Sequence, residues 1–169
     1  MQRNIRKKIS THKENLDYRE AKYDEIDKIN HIIKYGYHIK WDKDFFYKMI
    51  DNGTYILNII KLEDEIIGFI AIQKIKDECD IIMLIIDQKH RGKGYSKFLL
   101  GETLNYLKSY GIKKIFLDVA ATNHTAINLY EKFGFKKFSE RLAYYKYDDL
   151  EIDAISSVSY THLTLPTKA

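Results

Sequence analysis

The segment that most constrains the fold of this chain runs from Asp80 to Ser96, with the sequence DIIMLIIDQKHRGKGYS. Its first half is an apolar, isoleucine-rich run with the length of a buried strand. Its second half is a basic turn with two glycines that leads into an amphipathic helix. Glycine lets backbone N–H groups approach a ligand, and a helix N-terminus presents unpaired donors with partial positive charge. This order of elements predicts either an anion-binding loop or a plain tight turn, and the segment alone does not separate the two.

The length and composition of the chain favour a globular protein with one core. Of its 169 residues, 45% are hydrophobic and 31% are charged. The apolar runs are shorter than the roughly 20 residues of a membrane span, so neither a membrane segment nor a signal peptide is expected. The single cysteine, Cys79, cannot form an internal disulfide, which indicates a cytoplasmic location. The net charge of +4 suits an anionic ligand, and we expect no nucleic-acid or membrane partner.

Residue patterns along the chain predict strands and helices around a central hairpin meander. Strands are expected at 16–22, 55–61, 66–73, 80–86, 114–119, 137–147 and 151–155. Helices are expected to begin after Asp24, after Asp42, after the glycine turn and after Asn123 or Thr122. This mixture predicts an α/β (α+β) fold, with a mixed, mostly antiparallel sheet of six to seven strands flanked by about four helices.

Composition divides the chain into three segments. Residues 1–14 are polar and basic and are expected to form an N-terminal extension, and residues 15–155 are expected to form the folded domain. Residues 156–169 lack Asp and Glu and contain the only proline, Pro166. We therefore expect 156–169 to be a non-native tail, whose deletion from Ser157 onward leaves the melting temperature nearly unchanged.

Two motifs carry a resemblance to a known enzyme family. The sequence RGKGYS at 91–96 resembles the acetyl-CoA loop of the Gcn5-related N-acetyltransferases (GNAT family), Q/R-x-x-G-x-G/A. The sequence NHTAINLYEKFGF at 123–135 is similar to the second signature of that family, N-x-x-A-x-x-L-Y-E-K-x-G-F. The motifs follow in the family's order, about 30 residues apart, and the resemblance covers 16–155. Ser96 departs from the loop pattern, which has Gly or Ala at that position.

The resemblance implies an acyltransferase that moves an acetyl group from acetyl-CoA to a primary amine of a small molecule or protein, by direct attack and without a metal. In this family the strand before the loop splays from the next parallel strand, and the pantetheine arm of acetyl-CoA lies in the opening. The residues that the resemblance places at the cofactor are Ile85, Ile86, Arg91, Gly92, Lys93, Gly94, Tyr95, Ser96, Asn123 and Tyr130.

Acetyl transfer to an amine needs a polarised thioester carbonyl, a neutral amine and a proton for the departing thiolate. The resemblance assigns the first task to backbone N–H near Ile85 and the third to the hydroxyl of Tyr130. It places the base at Asp118 or at Asp80, in either case acting through a water. The residues also permit plainer roles: a core aromatic for Tyr130, an exposed polar residue for Asp118 and a turn residue for Asp80.

Two other functions remain at this stage. One is a catalytically inactive relative that binds acyl-CoA as a sensor or regulatory module. The other is a plain nucleotide-binding domain, which is weakened because the loop lacks both Gly-x-Gly-x-x-Gly and the P-loop lysine pattern. Protein N-termini, polyamines, amino acids and aminoglycosides all remain open as acceptors, and the chain is expected to be a monomer or homodimer.

Overall fold

The computed structural model describes residues 7–11, 14–36 and 41–161. In these residues there are four α-helices: α1 (Ile26–Gly36), α2 (Lys43–Asp51), α3 (Tyr95–Ser109) and α4 (His124–Lys132). Short 3-10 turns lie at Tyr23–Glu25 and Gln88–His90. The eight strands are β1 (Lys7–Thr11), β2 (Glu14–Glu20), β3 (Tyr55–Leu62), β4 (Glu65–Ile75), β5 (Glu78–Ile86), β6 (Lys114–Ala120), β7 (Lys136–Tyr147) and β8 (Leu150–Tyr160).

The chain divides into two compact units. The described residues up to Gln73, together with Met83–Thr103, form the first unit. Lys74–Ile82 and the described residues from Leu104 onward form the second. Strands β4 and β5 and helix α3 each contribute residues to both units.

The first unit is an antiparallel meander with helices α1 and α2. Its strand order is β1-β2-β3-β4-β5. Helix α1 buries Ile26, Ile29 and Ile33, whose spacing places them on one face as the pattern predicts. The Asp42 carboxylate accepts a 3.1 Å hydrogen bond from the N–H of Asp44, so it caps α2 as expected. Phe46 of α2 then packs edge-on against Phe69 of β4, with ring centroids 5.9 Å apart, and both rings are fully buried.

A buried chain of hydrogen bonds ties β2, β3 and α3 together in this unit. Thr103 donates its hydroxyl proton to the carbonyl of Leu99 at 2.7 Å. In the 3.2 Å hydrogen bond between Thr103 and Tyr18, the donor is therefore the tyrosine hydroxyl. Tyr18 in turn accepts from the side-chain amide of Asn58 at 2.6 Å. Burial raises the pKa of Tyr18 to about 12, which keeps the phenol a neutral donor. This network orients α3, the helix that follows the glycine turn.

The second unit contains the one parallel pair among the described strands. Its strand order is β5-β6-β8-β7. The parallel register of β5 and β6 runs from Glu78–Lys114 to Ile81–Leu117, and both strands extend beyond it. Strands β6 and β8 are antiparallel, as are β7 and β8. A mixed, mostly antiparallel sheet with one parallel pair and four helices confirms the fold class expected from the sequence.

Near both ends of the chain, the structure contains strands in segments that were expected to lie outside the folded domain. Strands β2–β8 account for the expected strands, and β1 adds a further one inside the segment expected to be an extension. Strand β8 continues through Ser156 to Tyr160, where Val158 lies opposite Phe116 of β6 and is buried. A composition boundary at 156 therefore falls within a paired strand, and we now expect deletion from Ser157 to destabilise the fold. The remainder of the expected tail, 162–169, lies outside the described residues.

Candidate active site

The turn after β5 has the backbone geometry of an anion-binding loop. Gly92 and Gly94 have φ angles of +76° and +86°, a region that favours glycine. A Cβ placed on either residue would meet no atom of the described chain within 4 Å, so the loop backbone is open to a ligand. The carbonyl of Gly94 accepts the first helical bond, 3.1 Å from the N–H of Phe98. The N–H groups at the start of α3 therefore lack intrahelical partners, and this arrangement fits the diphosphate of acetyl-CoA.

Side chains around the loop fix it to the end of β5. Arg91 Nε donates a 3.2 Å hydrogen bond to the carbonyl of Ile86, which ties the loop back to the strand. Asp87 caps the 3-10 turn by accepting from the N–H of Lys89 at 3.1 Å. Lys93 is exposed and adds positive charge at the turn, whereas Tyr95 is buried and anchors the start of α3. The predicted residues Ile85 to Ser96 thus lie together in the first unit.

Gly68 on β4 controls how closely β5 can approach. A Cβ on Gly68 would lie 2.8 Å from the carbonyl oxygen of Ile85 and 2.6 Å from Cδ1 of Ile86, distances that real side chains do not tolerate. The N–H of Asp87 donates to the carbonyl of Ile67 at 2.8 Å in the same region. The backbone at Ile85 and Ile86 is therefore placed by a glycine that our sequence analysis missed. A glycine inside the strand pattern IIGFIAI was the available signal, because it marks close backbone approach.

In the second unit, the carboxylate of Asp118 is held from two sides. Ser156 Oγ donates to Asp118 Oδ1 at 2.5 Å, and Arg141 Nη1 lies 3.6 Å from Oδ2. The Asp118 side chain is 24% exposed, so it remains accessible to water or a ligand. The sequence analysis named Asp118 but neither of these two partners. Both come from distant strands, β7 and β8, and Ser156 lay in the segment expected to be a tail.

The charge of Asp118 acts on two neighbouring groups. Partial burial and, after it, the negative charge of Asp118 raise the pKa of Asp80. Burial and then the charge of Asp118 also raise the pKa of Tyr145 to about 12. The two carboxylates proposed as alternative bases thus belong to one cluster in which Asp118 has the fixed orientation.

Asn123 and Tyr130 lie at opposite ends of α4. The side-chain oxygen of Asn123 accepts a 3.1 Å hydrogen bond from the N–H of Ala126, so it caps the helix as predicted. The Tyr130 ring packs at 62° against Phe135, with centroids 5.7 Å apart. Within α4, which the structure describes in full, every residue is half-buried or exposed, and Tyr130 is half-buried.

Among the described residues, we find no second catalytic or metal site. Burial raises the pKa of the Cys79 thiol to about 12, so this thiol is a poor nucleophile. Among the described residues, no group of three or more His, Cys, Asp or Glu side chains is arranged to hold a metal ion. In the same part of the chain, no helix is long and apolar enough to cross a membrane.

A mixed sheet with one parallel strand pair, and a glycine turn at the start of a helix, are the features that the resemblance to the GNAT family implies. The model of the acetyltransferase (GNAT) family matches residues 18–135. A [ribosomal protein bS18]-alanine N-acetyltransferase from Haemophilus ducreyi is 31% identical over 126 residues, covering 74% of this chain and 81% of the relative. The chain belongs to the GNAT family, and the expected activity is confirmed: it transfers acetyl groups from acetyl-CoA to an amine.

Solved structures show the same fold. The crystal structure of the ribosomal-protein-S18-alanine N-acetyltransferase from Escherichia coli matches with a TM-score of 0.82 and 21% identity, covering 91% of this chain and 99% of the other. Arabidopsis thaliana NAA60 in complex with acetyl-CoA matches with a TM-score of 0.77 and 17% identity, covering 86% and 98% of the two chains. These comparisons give no support to the alternative of an inactive sensor module.

Proposed function

We propose that this chain acetylates the α-amino group at the N-terminus of a protein, with an N-terminal alanine of the ribosomal protein bS18 type as the acceptor. The observation that carries this proposal is the sequence similarity to bS18-alanine N-acetyltransferases, which extends over about three quarters of the chain. The region that matches therefore contains both the glycine turn before α3 and the segment of β6 with Asp118.

Asp118 is the proposed base in this reaction. A protein N-terminus has an α-amino pKa of about 7.7 to 8.0, so much of it is protonated near neutral pH and must lose a proton before attack. Ser156 and Arg141 hold the Asp118 carboxylate in one orientation, which favours it over the exposed Asp80. Since aspartate is short, we propose that the proton reaches it through a water.

The remaining roles follow the family motifs. We assign the protonation of the departing CoA thiolate to the hydroxyl of Tyr130, and the polarisation of the thioester carbonyl to backbone N–H near Ile85. The open glycine backbone at 92–94 and the start of α3 would bind the diphosphate. We further place the protein in the cytoplasm, where both acetyl-CoA and ribosomal proteins occur, and a single free cysteine agrees with that location.

Thiol release from acetyl-CoA with a panel of acceptors tests this proposal. The panel contains a peptide with the bS18 N-terminal sequence and a free alanine, the same peptide with a blocked N-terminus, spermidine and an aminoglycoside. We expect the free peptide to have the highest kcat/KM and the blocked peptide to be inert. Preferred turnover of spermidine or the aminoglycoside would reject the α-amine acceptor while leaving the acetyltransferase activity intact.

A further inference from the structure

Strand β7 contains a wide bulge opposite a single residue of β8. Arg141 pairs with Ala154 and Tyr145 pairs with Ile152, so the three residues 142–144 face Asp153 alone. At the centre of the bulge, Ala143 has a φ of +50°. This left-handed conformation is unfavourable for a residue with a Cβ, so the surrounding structure must hold it in place.

Asp153 supplies the contact that holds the bulge. Its Oδ1 accepts a 2.8 Å hydrogen bond from the backbone N–H of Ala143. Its own backbone carbonyl accepts a 2.8 Å hydrogen bond from the N–H of Ala121, directly after β6. Asp153 is therefore fixed by its backbone and fixes the bulge by its side chain.

The bulge lies next to a side chain, that of Arg141, which approaches the proposed base. On one side of it, Arg141 places Nη1 3.6 Å from Asp118 Oδ2. The same guanidinium lies 5.1 Å from the ring centroid of Tyr144, which is itself a bulge residue. The Tyr144 ring contacts that of Tyr145 edge-on at 5.1 Å between centroids. Arg141 is thus in contact with a residue of the bulge and lies close to Asp118.

We propose that Asp153 is a positioning residue for the acetyl-transfer reaction: by bonding Ala143 it holds the bulge, and the bulge holds Arg141 beside Asp118. This inference rests on the proposed role of Asp118 as the group that receives the amine proton. Asp153 itself does not touch the reacting atoms. When the bulge is released, Arg141 loses its support and its guanidinium no longer lies beside the Asp118 carboxylate.

Two substitutions at Asp153 separate its hydrogen bond from its charge. Asp153→Asn keeps an oxygen that can accept from Ala143, so its kcat/KM for the free bS18 peptide should stay within about twofold of the wild type. Asp153→Ala removes the acceptor and should lower that kcat/KM about tenfold, with KM for acetyl-CoA unchanged. Arg141→Ala should lower that kcat/KM by a similar factor, and the double variant should show no further loss, because Asp153 acts only through Arg141. Asp149→Ala, an exposed carboxylate in the same hairpin, is the matched control and should have no effect.

NMR provides a test that does not depend on the acceptor. In the wild type, the Ala143 amide should resist hydrogen exchange, and this protection should be lost in Asp153→Ala. In Asp153→Ala, the guanidinium resonances of Arg141 should also shift, because the side chain no longer lies beside Asp118. If the peptide is not a substrate, the proposed acceptor is wrong, yet these signals still decide the role of Asp153. An unprotected Ala143 amide, unchanged Arg141 guanidinium resonances in folded Asp153→Ala, or equal losses in the Asn and Ala variants would overturn the proposal.

Discussion

Asp118 on β6 lies directly opposite Ser156 on β8, and the serine hydroxyl donates a 2.5 Å hydrogen bond to the aspartate. A short hydrogen bond to a carboxylate is charge-assisted and stronger than a neutral one. It fixes the orientation of Asp118 on a face that Arg141 also approaches. The proposed base is therefore built by three strands of the second unit, and its chemistry can be tested separately from cofactor binding.

The pH dependence of Asp118→Asn should distinguish a base from a structural carboxylate. At high pH the amine is neutral without help, so the variant should approach the wild-type rate. At low pH the neutral amine is scarce, and the variant should lose roughly a hundredfold in kcat/KM. The measurement is the pH dependence of kcat/KM for Asp118→Asn, with Asp80→Asn measured in parallel. A low-pH loss that appears in Asp80→Asn instead would move the role of base to Asp80.

Tyr130→Phe tests the proposed acid. The substitution keeps the ring that packs against Phe135 and removes the proton donor, so folding and acetyl-CoA affinity should be preserved. We expect kcat to fall by roughly a hundredfold, or about tenfold if water supplies the proton. Tyr110→Phe, a partly exposed tyrosine after α3, serves as the control and should retain wild-type kcat. An unchanged kcat in Tyr130→Phe would leave this tyrosine with a packing role only.

Gly94→Val tests the diphosphate loop. A β-branched residue cannot readily adopt a φ of +86°, so the loop backbone must move away from the ligand. We expect acetyl-CoA affinity to fall at least tenfold, about 1.4 kcal/mol, in a folded protein. Gly53→Val is the matched control, because Gly53 also has open space around its Cβ position but does not have a positive φ. Calorimetry that shows equal affinities for both variants would remove the loop from the cofactor site.

The ion pair between Arg19 and Glu25 should contribute pH-dependent stability. Arg19 binds both carboxylate oxygens at 2.8 and 2.6 Å. Burial raises the pKa of Glu25, but the bonds from Arg19 and from the N–H of Lys22 outweigh it, and the net pKa is lowered. A lowered folded-state pKa means that this stability is present above the ordinary glutamate value of about 4.3 and is lost as the pH falls below it.

Denaturation at several pH values checks this contribution. Between neutral pH and pH 3, the free energy of unfolding should fall less in Glu25→Gln than in the wild type. Asp64→Asn, which changes a fully exposed carboxylate in the β3–β4 turn, should behave like the wild type. If the free energy of unfolding depends on pH in the same way in Glu25→Gln and the wild type, the Arg19–Glu25 ion pair makes no pH-dependent contribution to stability.

Deletion of Ser157–Ala169 should destabilise the protein. The truncation removes the last four residues of β8, which pair with Lys114–Leu117 and include the buried Val158. We expect the melting temperature to fall by roughly 10 °C or more, because several strand hydrogen bonds and an apolar side chain are lost together. A chain that ends at Thr161 keeps all of β8 and is the control. Equal melting temperatures for the two truncations would restore the expectation drawn from composition.

Local features explain how much of this protein the sequence could predict. The glycine turn after β5, the Asn123 cap and the strand–turn–helix order depend on neighbouring residues, and each was anticipated. The contacts of Asp118 with Ser156 and Arg141 bring together residues far apart in the chain, for which local pattern gives no signal. Composition also misplaced the end of β8, since a change in residue usage does not report whether a strand finds a partner. Gly68 could be recognised from the sequence as a glycine inside a strand. Its close approach to the backbone of Ile85 could not.

The most direct test of the central claim is to locate the acetyl group on a single acceptor. A peptide that begins with the bS18 N-terminal alanine, and into which an internal lysine is designed, is incubated with the protein and acetyl-CoA and sequenced by tandem mass spectrometry. Our account predicts an acetyl group on the α-amine of the alanine, at a rate that falls strongly in Tyr130→Phe. Acetylation of the lysine alone, or no acetylation while another amine is turned over, would contradict it.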